Sequence, residues 1–543
     1  MSSKILRQAH NVWSIKYFAI AVGAMMACFI MYHWLWWCYL RYGTRNQSPS
    51  VQWILRFHRA TRRSVNHAVS RERVGSIFLY VTYWAINLIV LLTNIDLNLI
   101  ISVAKRLGWV ALCNFVLLVF LSLRNTPLAP LSGYSYEKIR PLHKAAGYTC
   151  IFSSVLHGIV YLSAWSELDN LAEMRETENL VGAIAGLAMV IIGVSTITWF
   201  ARRFYEGTFV QIRLEDLRSE NTTVFYVLHV ILFMLILILV GMHRPKLSKS
   251  TLPIIIFTAS MWFSDRLIRF SNLCWNFFGN YATLTPMSDG AVRVTVHRSI
   301  SARPGSHAFL WIPSIRMLEN HPFTLVSTEP AEFLIRQHNG FTNDLYKSAQ
   351  EYPGWRLRCS VDGGYGQVPD FLQFNRILLV AGGSGASFTF AVALSVLKKS
   401  WLLDSSKTVD FIWTVRNAES LKWFEKELQQ LQESLYVNLF IYVSRDDAAV
   451  DISNQMTTTA IDDLEKGREF GSRLAVSIAH LRKGRPHIAS LITDCLSDCP
   501  STDRVGVGAC GPEGILDTTR ETVFDGSFDK GPFITLHTEE FHW

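Results

Sequence analysis

Two stretches, HKAAGYTCIFSSVLH at 143–157 and HVILFMLILILVGMH at 229–243, decide the fold. Each begins and ends on histidine. Between those ends the first carries one charged residue, Lys144, and the second none. In an α-helix fourteen residues make just under four turns, so the two histidines of each stretch share a face and lie about 21 Å apart along the axis. A hydrocarbon core is about 30 Å thick, which puts one imidazole of each stretch in each leaflet. Histidine in a membrane span is costly and by default functional. One further apolar stretch separates these two, so their helices run parallel and His143 levels with His229, His157 with His243. Facing imidazoles at two levels suit axial ligation of two haems, and an iron with both axial positions filled passes single electrons. Gly147 and Gly158 lie close to the ligand positions, and His33, in the first apolar stretch, reads as an interfacial partner.

Working outward, half of the 543 residues are apolar, only 18% are charged and the mean hydropathy is +0.19, which excludes disorder and a small disulfide scaffold. The apolar residues concentrate in six stretches, 18–40, 77–95, 107–123, 145–162, 181–200 and 224–242, each about the length that crosses a bilayer. A seventh, 252–270, is expected to cross with Asp265, Arg266 and Arg269 at the interface. Basic residues crowd the segment after the first span (Arg41, Arg45, Arg56, Arg59, Arg62, Arg63, Arg71, Arg73), which makes that side cytoplasmic and the N terminus external. The acidic stretch 167–178 then falls outside and the C-terminal half in the cytosol. The first stretch reads as a retained anchor, and the sequons at Asn46 and Asn221 face the cytosol.

The rest is soluble in character. Residues 1–273 hold 27 Lys+Arg against 13 Asp+Glu, a charge of +14, whereas 274–543 hold 25 against 31, a charge of −6. Within 280–370 the runs AVRVTVHR, HAFLWIP, EFLIRQH and WRLRCSV, broken by turn residues, predict a small antiparallel barrel. It carries His321-Pro322-Phe323-Thr324 and the segment RQHNGFT, with Arg336, Gly340, Phe341 and Thr342. Together these supply the cation, the backbone N–H groups, the aromatic face and the hydroxyl that a flavin dinucleotide requires. From Arg376 a buried strand runs into Gly382-Gly383-Ser384-Gly385-Ala386-Ser387 and a helix, a cradle for phosphate. Arg416 ends the next strand where a 2′-phosphate would sit, favouring NADPH, and VGVGACGPEG brings Cys510, Gly511 and Pro512 to the edge of the same sheet. The nine cysteines form no disulfide framework, and Cys495 and Cys499 lack the second pair a metal site needs. Residues 448–503 are expected to include a loop insertion.

In this order, HPFT, RQHNGFT, GGSGAS, CGPEG and a chain ending in Phe541-His542-Trp543, after paired intramembrane histidines, resemble the ferric reductase and NADPH oxidase superfamily over about residues 74–543. The fourteen-residue offset of the second histidine pair resembles the fungal-type metalloreductase branch. The resemblance implies a multi-domain chain: an α-helical membrane bundle of about seven spans over 1–273, a ferredoxin-reductase-like antiparallel β-barrel for FAD over 274–372, and an α/β NADPH domain over 373–543. It implies FAD, two b-type haems on His143, His157, His229 and His243, and NADPH as donor, with Cys510 near the nicotinamide and Trp543 over the flavin ring. The expected function is reduction of ferric chelates or cupric ions outside a plasma membrane, supporting metal uptake. Partners would be membrane lipid and a copper oxidase, an iron permease or another subunit, with no nucleic acid. A superoxide-producing oxidase, and a haem-binding receptor or scaffold with an inactive reductase tail, are the alternative readings.

Overall fold

The computed structural model describes residues 3–42, 64–66, 71–96, 99–205, 215–243, 251–402, 407–445, 481–500, 503–524 and 532–540. The chain divides into two units, residues 1–38 with 75–271 and residues 39–74 with 272–543.

Among the described residues seven long helices come first: α1 (Ser3–Tyr42), α2 (Val74–Leu92), α3 (Ile100–Ser122), α4 (Tyr136–Glu167), α5 (Thr177–Tyr205), α6 (Glu215–Met242) and α7 (Thr251–Phe277). Six of these, α1 to α6, contain segments long and apolar enough to cross a membrane. The seventh crossing expected at 252–270 falls in α7, which is a continuous helix but does not join the six, because Asp265, Arg266 and Arg269 dilute its apolar run. Asp265 is nevertheless buried, and its Oδ1 accepts from the backbone N–H of Asn125 at 2.9 Å and from Asn125 Nδ2 at 3.2 Å.

Polar groups inside an apolar bundle must find partners within it, because hydrocarbon offers none. Arg106, fully buried on α3, gives its guanidinium to the end of α2: Nη1 donates to the carbonyls of Val90 (2.9 Å) and Thr93 (2.7 Å), Nη2 to Asn94 (3.3 Å), and Nε to Asn11 Oδ1 (2.9 Å). Tyr83 Oη donates to Asn114 Oδ1 at 2.6 Å, and Asn114 Nδ2 donates to Asn87 Oδ1 at 2.6 Å. These contacts tie α2 to α3, and α3 in turn packs extensively along α4.

Beyond a short antiparallel pair, Ser64–Asn66 with Arg71–Arg73, the second unit carries strands β1 (Tyr281–Met287), β2 (Ala291–Val296), β3 (His307–Trp311), β4 (His321–Thr328), β5 (Ala331–Arg336), β6 (Arg356–Arg358) and β7 (Ser360–Tyr365). They pair antiparallel in the order β6-β1-β2-β5-β4-β3-β7. The two end strands are separated in sequence only by the buried Cys359, so the sheet curls round until its edges meet. Alternate residues such as Val292, Val294, Leu310 and Phe333 fill the interior, and helix α8 (Phe341–Glu351) packs Phe341 and Leu345 onto it.

A six-stranded parallel sheet follows, built from β8 (Arg376–Gly382), β9 (Thr408–Val415), β10 (Val437–Val443), β11 (Leu481–Lys483), β12 (Arg504–Cys510) and β13 (Phe533–Glu539). The strand order is β11-β10-β9-β8-β12-β13. Its strands are nearly continuous apolar runs, as a sheet covered on both faces requires. Helix α9 (Ala386–Leu402) covers one face, with Phe390 against Phe411, Trp413 and Phe424. From β8 the chain winds outward to β9, β10 and β11 and then returns to the other side at β12. The order therefore reverses between β8 and β12, where open α/β sheets bind ligands at their carboxyl ends.

Candidate functional site

In the first unit three of the four paired histidines are held by backbone carbonyls. Nδ1 of His157 donates to Ala104 O at 2.7 Å, Nδ1 of His143 to Leu118 O at 2.8 Å, and Nδ1 of His243 to Glu178 O at 2.6 Å. A carbonyl only accepts, so Nδ1 carries the proton in each ring and Nε2 keeps its lone pair. Ala104 and Leu118 are themselves fourteen residues apart on α3, which runs antiparallel to α4. The histidine spacing thus recurs in the backbone acceptors that hold the rings. The imidazoles of His157 and His243 have ring centroids 6.1 Å apart, inclined at 74°. His229 packs on Phe225, and its Nδ1 is buried with no hydrogen-bond partner among the described residues.

Two glycines that sequence reasoning missed make room for the outer pair. A Cβ on Gly108 would lie 2.9 Å from the His157 ring, and one on Gly182 would collide with the ring of His243. Their only signal in the sequence is a small residue on a neighbouring apolar helix, which is too common to single them out. Gly147 and Gly158, picked out by their closeness to the ligands, would present a Cβ to nothing within 4 Å. His33 lies against Gly133, where a Cβ would strike its ring.

In the second unit a cleft of about 320 Å³ opens at the point where the strand order reverses. Gly382, Gly383, Ser384 and Gly385 line it after β8, Arg416 after β9, and Cys510, Gly511 and Pro512 after β12, with Arg336 and Asp289 reaching in from the barrel. The glycines divide the work. A Cβ on Gly382 would strike Pro512 and Ile515, and one on Gly385 would meet the backbone of Cys510, so these two let the turns after β8 and β12 abut. Gly383 (φ +55°) would present a Cβ to open space. Ala386 and Ser387 are buried in the first turn of α9 rather than lining the cleft.

Cys510 is fully buried, and burial pushes its thiol pKa up, with Glu539 adding to the shift from the paired position on β13. The motif at 321–324 is split by strand alternation. His321 and Phe323 stack on Phe341, with centroids 4.8 Å and 6.1 Å away, while Pro322 and Thr324 lie on the other, buried face. His321 Nε2 contacts Glu319 Oε2 at 3.0 Å. Burial alone would raise the Glu319 carboxyl, but hydrogen bonds from Arg316 and His321 outweigh it and hold the pKa below the usual range. Gly340 (φ +73°) starts α8, and Thr342 Oγ1 accepts from the His338 N–H at 2.9 Å. Trp543 lies outside the described residues, as do Asn46 and residues 446–480. The later part of the expected insertion contains β11 and a helix, Ile488–Ser497. Cys495 and Cys499 are buried, and the described residues contain no cluster of three metal-ligating side chains.

An apolar helical region carrying paired histidines, followed by a curled antiparallel sheet and a parallel sheet with a glycine-lined cleft, has the architecture of a transmembrane region joined to flavin- and nicotinamide-dinucleotide-binding domains. Residues 107–240 match the ferric reductase like transmembrane component, 278–369 an FAD-binding domain and 374–524 the ferric reductase NAD binding domain. The chain thus carries the transmembrane, FAD-binding and NAD-binding domains found in ferric reductases, with six helices long and apolar enough to cross a membrane among the described residues. Ferric reductase transmembrane component 5 of Saccharomyces cerevisiae is 26% identical over 462 residues, covering 83% of this chain and 62% of that protein. Component 6 of the same yeast is 24% identical, covering 81% and 60%. Ferric/cupric reductase transmembrane component 2 of Schizosaccharomyces pombe is 26% identical over 406 residues, covering 64% and 67%. The chain spans about six-tenths of the length of the two Saccharomyces proteins.

Proposed function

We propose that the chain is the electron-transfer core of a metalloreductase in the plasma membrane, taking electrons from cytosolic NADPH and delivering them to ferric chelates or cupric ions outside, in support of iron or copper uptake. The observation that carries this reading is the outer imidazole pair. The ring centroids of His157 and His243 stand 6.1 Å apart, with each Nδ1 engaged by a carbonyl and each Nε2 keeping the lone pair that can ligate a metal. These two rings would hold a haem iron, which would supply single-electron transfer there. The carbonyl partners are the outer-shell contacts by which ligating imidazoles are oriented. His143 and His229 supply the inner pair.

When bound, NADPH supplies electrons in pairs, FAD divides them and the haems carry them singly. The chain's own residues hold these groups. The backbone N–H groups of the turn at 382–385 face a pyrophosphate, Arg416 a 2′-phosphate, and Arg336 with the N terminus of α8 the flavin's phosphates. Cys510 presents an uncharged thiol at the nicotinamide. In this arrangement α7 crosses the membrane with its charged turn at the cytosolic surface and the N terminus lies outside. The stretch 167–178, with Glu167, Asp169, Glu173, Glu176 and Glu178, then faces out, where its field attracts hydrated cations.

Adding NADPH to anaerobic membranes should bring up the absorbance of reduced b-type haem. His157→Ala should abolish ferric-chelate reduction at the outer face while the protein keeps its FAD. No haem absorbance would end the proposal. Ferrous-chelator absorbance that superoxide dismutase suppresses completely would make dioxygen the acceptor, and the oxidase reading would replace this one.

A further inference from the structure

Trp413 lies on β9, opposite Ala381 of β8, and is fully buried between Phe390 and Phe424. Its indole Nε1–H reaches out of that apolar setting and donates to the carbonyl of Gly383 at 3.1 Å. The same carbonyl accepts from the backbone N–H of Ala386. A buried indole N–H without a partner is costly, so the ring is committed to this one acceptor.

The consequence lies on the far side of the peptide. In a trans peptide the C=O and the following N–H point in opposite directions. With the oxygen of Gly383 drawn towards Trp413, the N–H of Ser384 is turned away from the indole, and both residues line the nucleotide cleft. Gly383 has φ +55° and no side chain, so it offers little steric resistance to rotation of this peptide. The hydrogen bond supplies the bias that glycine lacks.

We propose that Trp413 is a positioning residue for the dinucleotide: it locks the peptide between Gly383 and Ser384 with the N–H presented to the pyrophosphate. This rests on the reading that the turn at 382–385 holds that group. Losing one orienting hydrogen bond corresponds to a fall of about three- to ten-fold in NADP+ affinity.

The test uses the full chain with its FAD. Trp413→Phe keeps an aromatic ring and removes the donor, and replacement of Trp413 by benzothienylalanine keeps the shape and removes only the N–H. Equilibrium dialysis of NADP+ should show the weakened affinity for both, with FAD content and thermal midpoint unchanged in the benzothienyl variant. Unchanged NADP+ affinity in that variant overturns the proposal, as does a loss accompanied by an equal loss of FAD, which marks a general packing role. Ser384→Asp separates the two readings. If it weakens NADP+ while the benzothienyl variant does not, only the role of Trp413 falls; if it leaves NADP+ binding unchanged, the turn is not the pyrophosphate site and both fall.

Discussion

Asp289, in the turn between two barrel strands, accepts a hydrogen bond of 2.6 Å from Ser420 Oγ, on the loop that follows Arg416 in the parallel sheet. Its other oxygen accepts from Asn417 Nδ2 at 3.1 Å, and its backbone sits at φ +52°. A flavin-side carboxylate thus fastens the loop beside the proposed 2′-phosphate site. Asp289→Ala loses both acceptors and sets alanine, which tolerates the left-handed region less well than aspartate, at a positive φ, a combined cost of about 2–4 kcal/mol. Asp289→Gly removes the acceptors without the strain, and Asp289→Asn keeps one acceptor and tolerates the conformation. Thermal midpoints should therefore fall least for Asn and most for Ala, and a midpoint for Asn below that for Ala would contradict the assignment.

Gly182→Ala puts a methyl group where the ring of His243 stands, and Gly108→Ala presses on His157. Either change should remove roughly half of the dithionite-reducible b-type absorbance, leaving the inner pair, as expected if each level holds one haem. Gly23→Ala, where a Cβ meets nothing within 4 Å, serves as the control and should keep the full spectrum. Wild-type spectra in both His-contacting variants would count against axial ligation at the outer level.

Arg376 Nε donates to Asp410 Oδ2 at 2.7 Å across neighbouring strands, and Asn438 Nδ2 reaches the other oxygen at 2.8 Å. The Asp410 side chain is 2% exposed. Arg376→Met strands that carboxylate and should destabilise by about 3–5 kcal/mol, whereas Arg376→Met with Asp410→Asn should recover most of the loss. The readout is a double-mutant cycle on the unfolding midpoint, and simple additivity would contradict a direct pairing.

Burial pushes the thiols of Cys359 and Cys495 up to about 12. An unfolded thiol ionises near 8.5, so above that pH the folded chain holds protons that the unfolded chain has released. The stabilisation is complete below that value and declines as pH rises towards 12. Each thiol contributes a loss of up to about 1.4 kcal/mol per pH unit within that window. Thermal midpoints should be flat in this respect up to about pH 8 and then fall, with a shallower slope in Cys359→Ala. An identical slope in that variant would rule the thiol out as a contributor.

Spacing carried most of what is legible in the sequence. Fourteen residues between histidines, ILLVA before GGSGAS and VGVGAC before GPEG name their elements because helix and strand periodicities leave few other placements. What escaped it is the work of contacts between distant segments. Gly108 and Gly182 matter only because imidazoles on other helices arrive beside them, and Asp289 and Trp413 only because a loop and a turn fold against them. The motif at 321–324 reads as one patch along the chain, yet strand alternation sends its residues to two faces. The crossing expected at 252–270 is the least apolar of the seven, because Asp265, Arg266 and Arg269 cluster in its second half.

Arg106 has a bearing on how the bundle is assembled. An arginine six residues into α3 would cost about 2.5–3.5 kcal/mol if that helix entered the bilayer alone. Its acceptors are carbonyls at the end of the helix before it, made one after another on the same growing chain. The two helices are therefore matched for insertion as a hairpin, with the guanidinium satisfied before α3 meets lipid. A substitution that unravels the end of α2 should then show first as a smaller amount of full-length chain in carbonate-washed membranes.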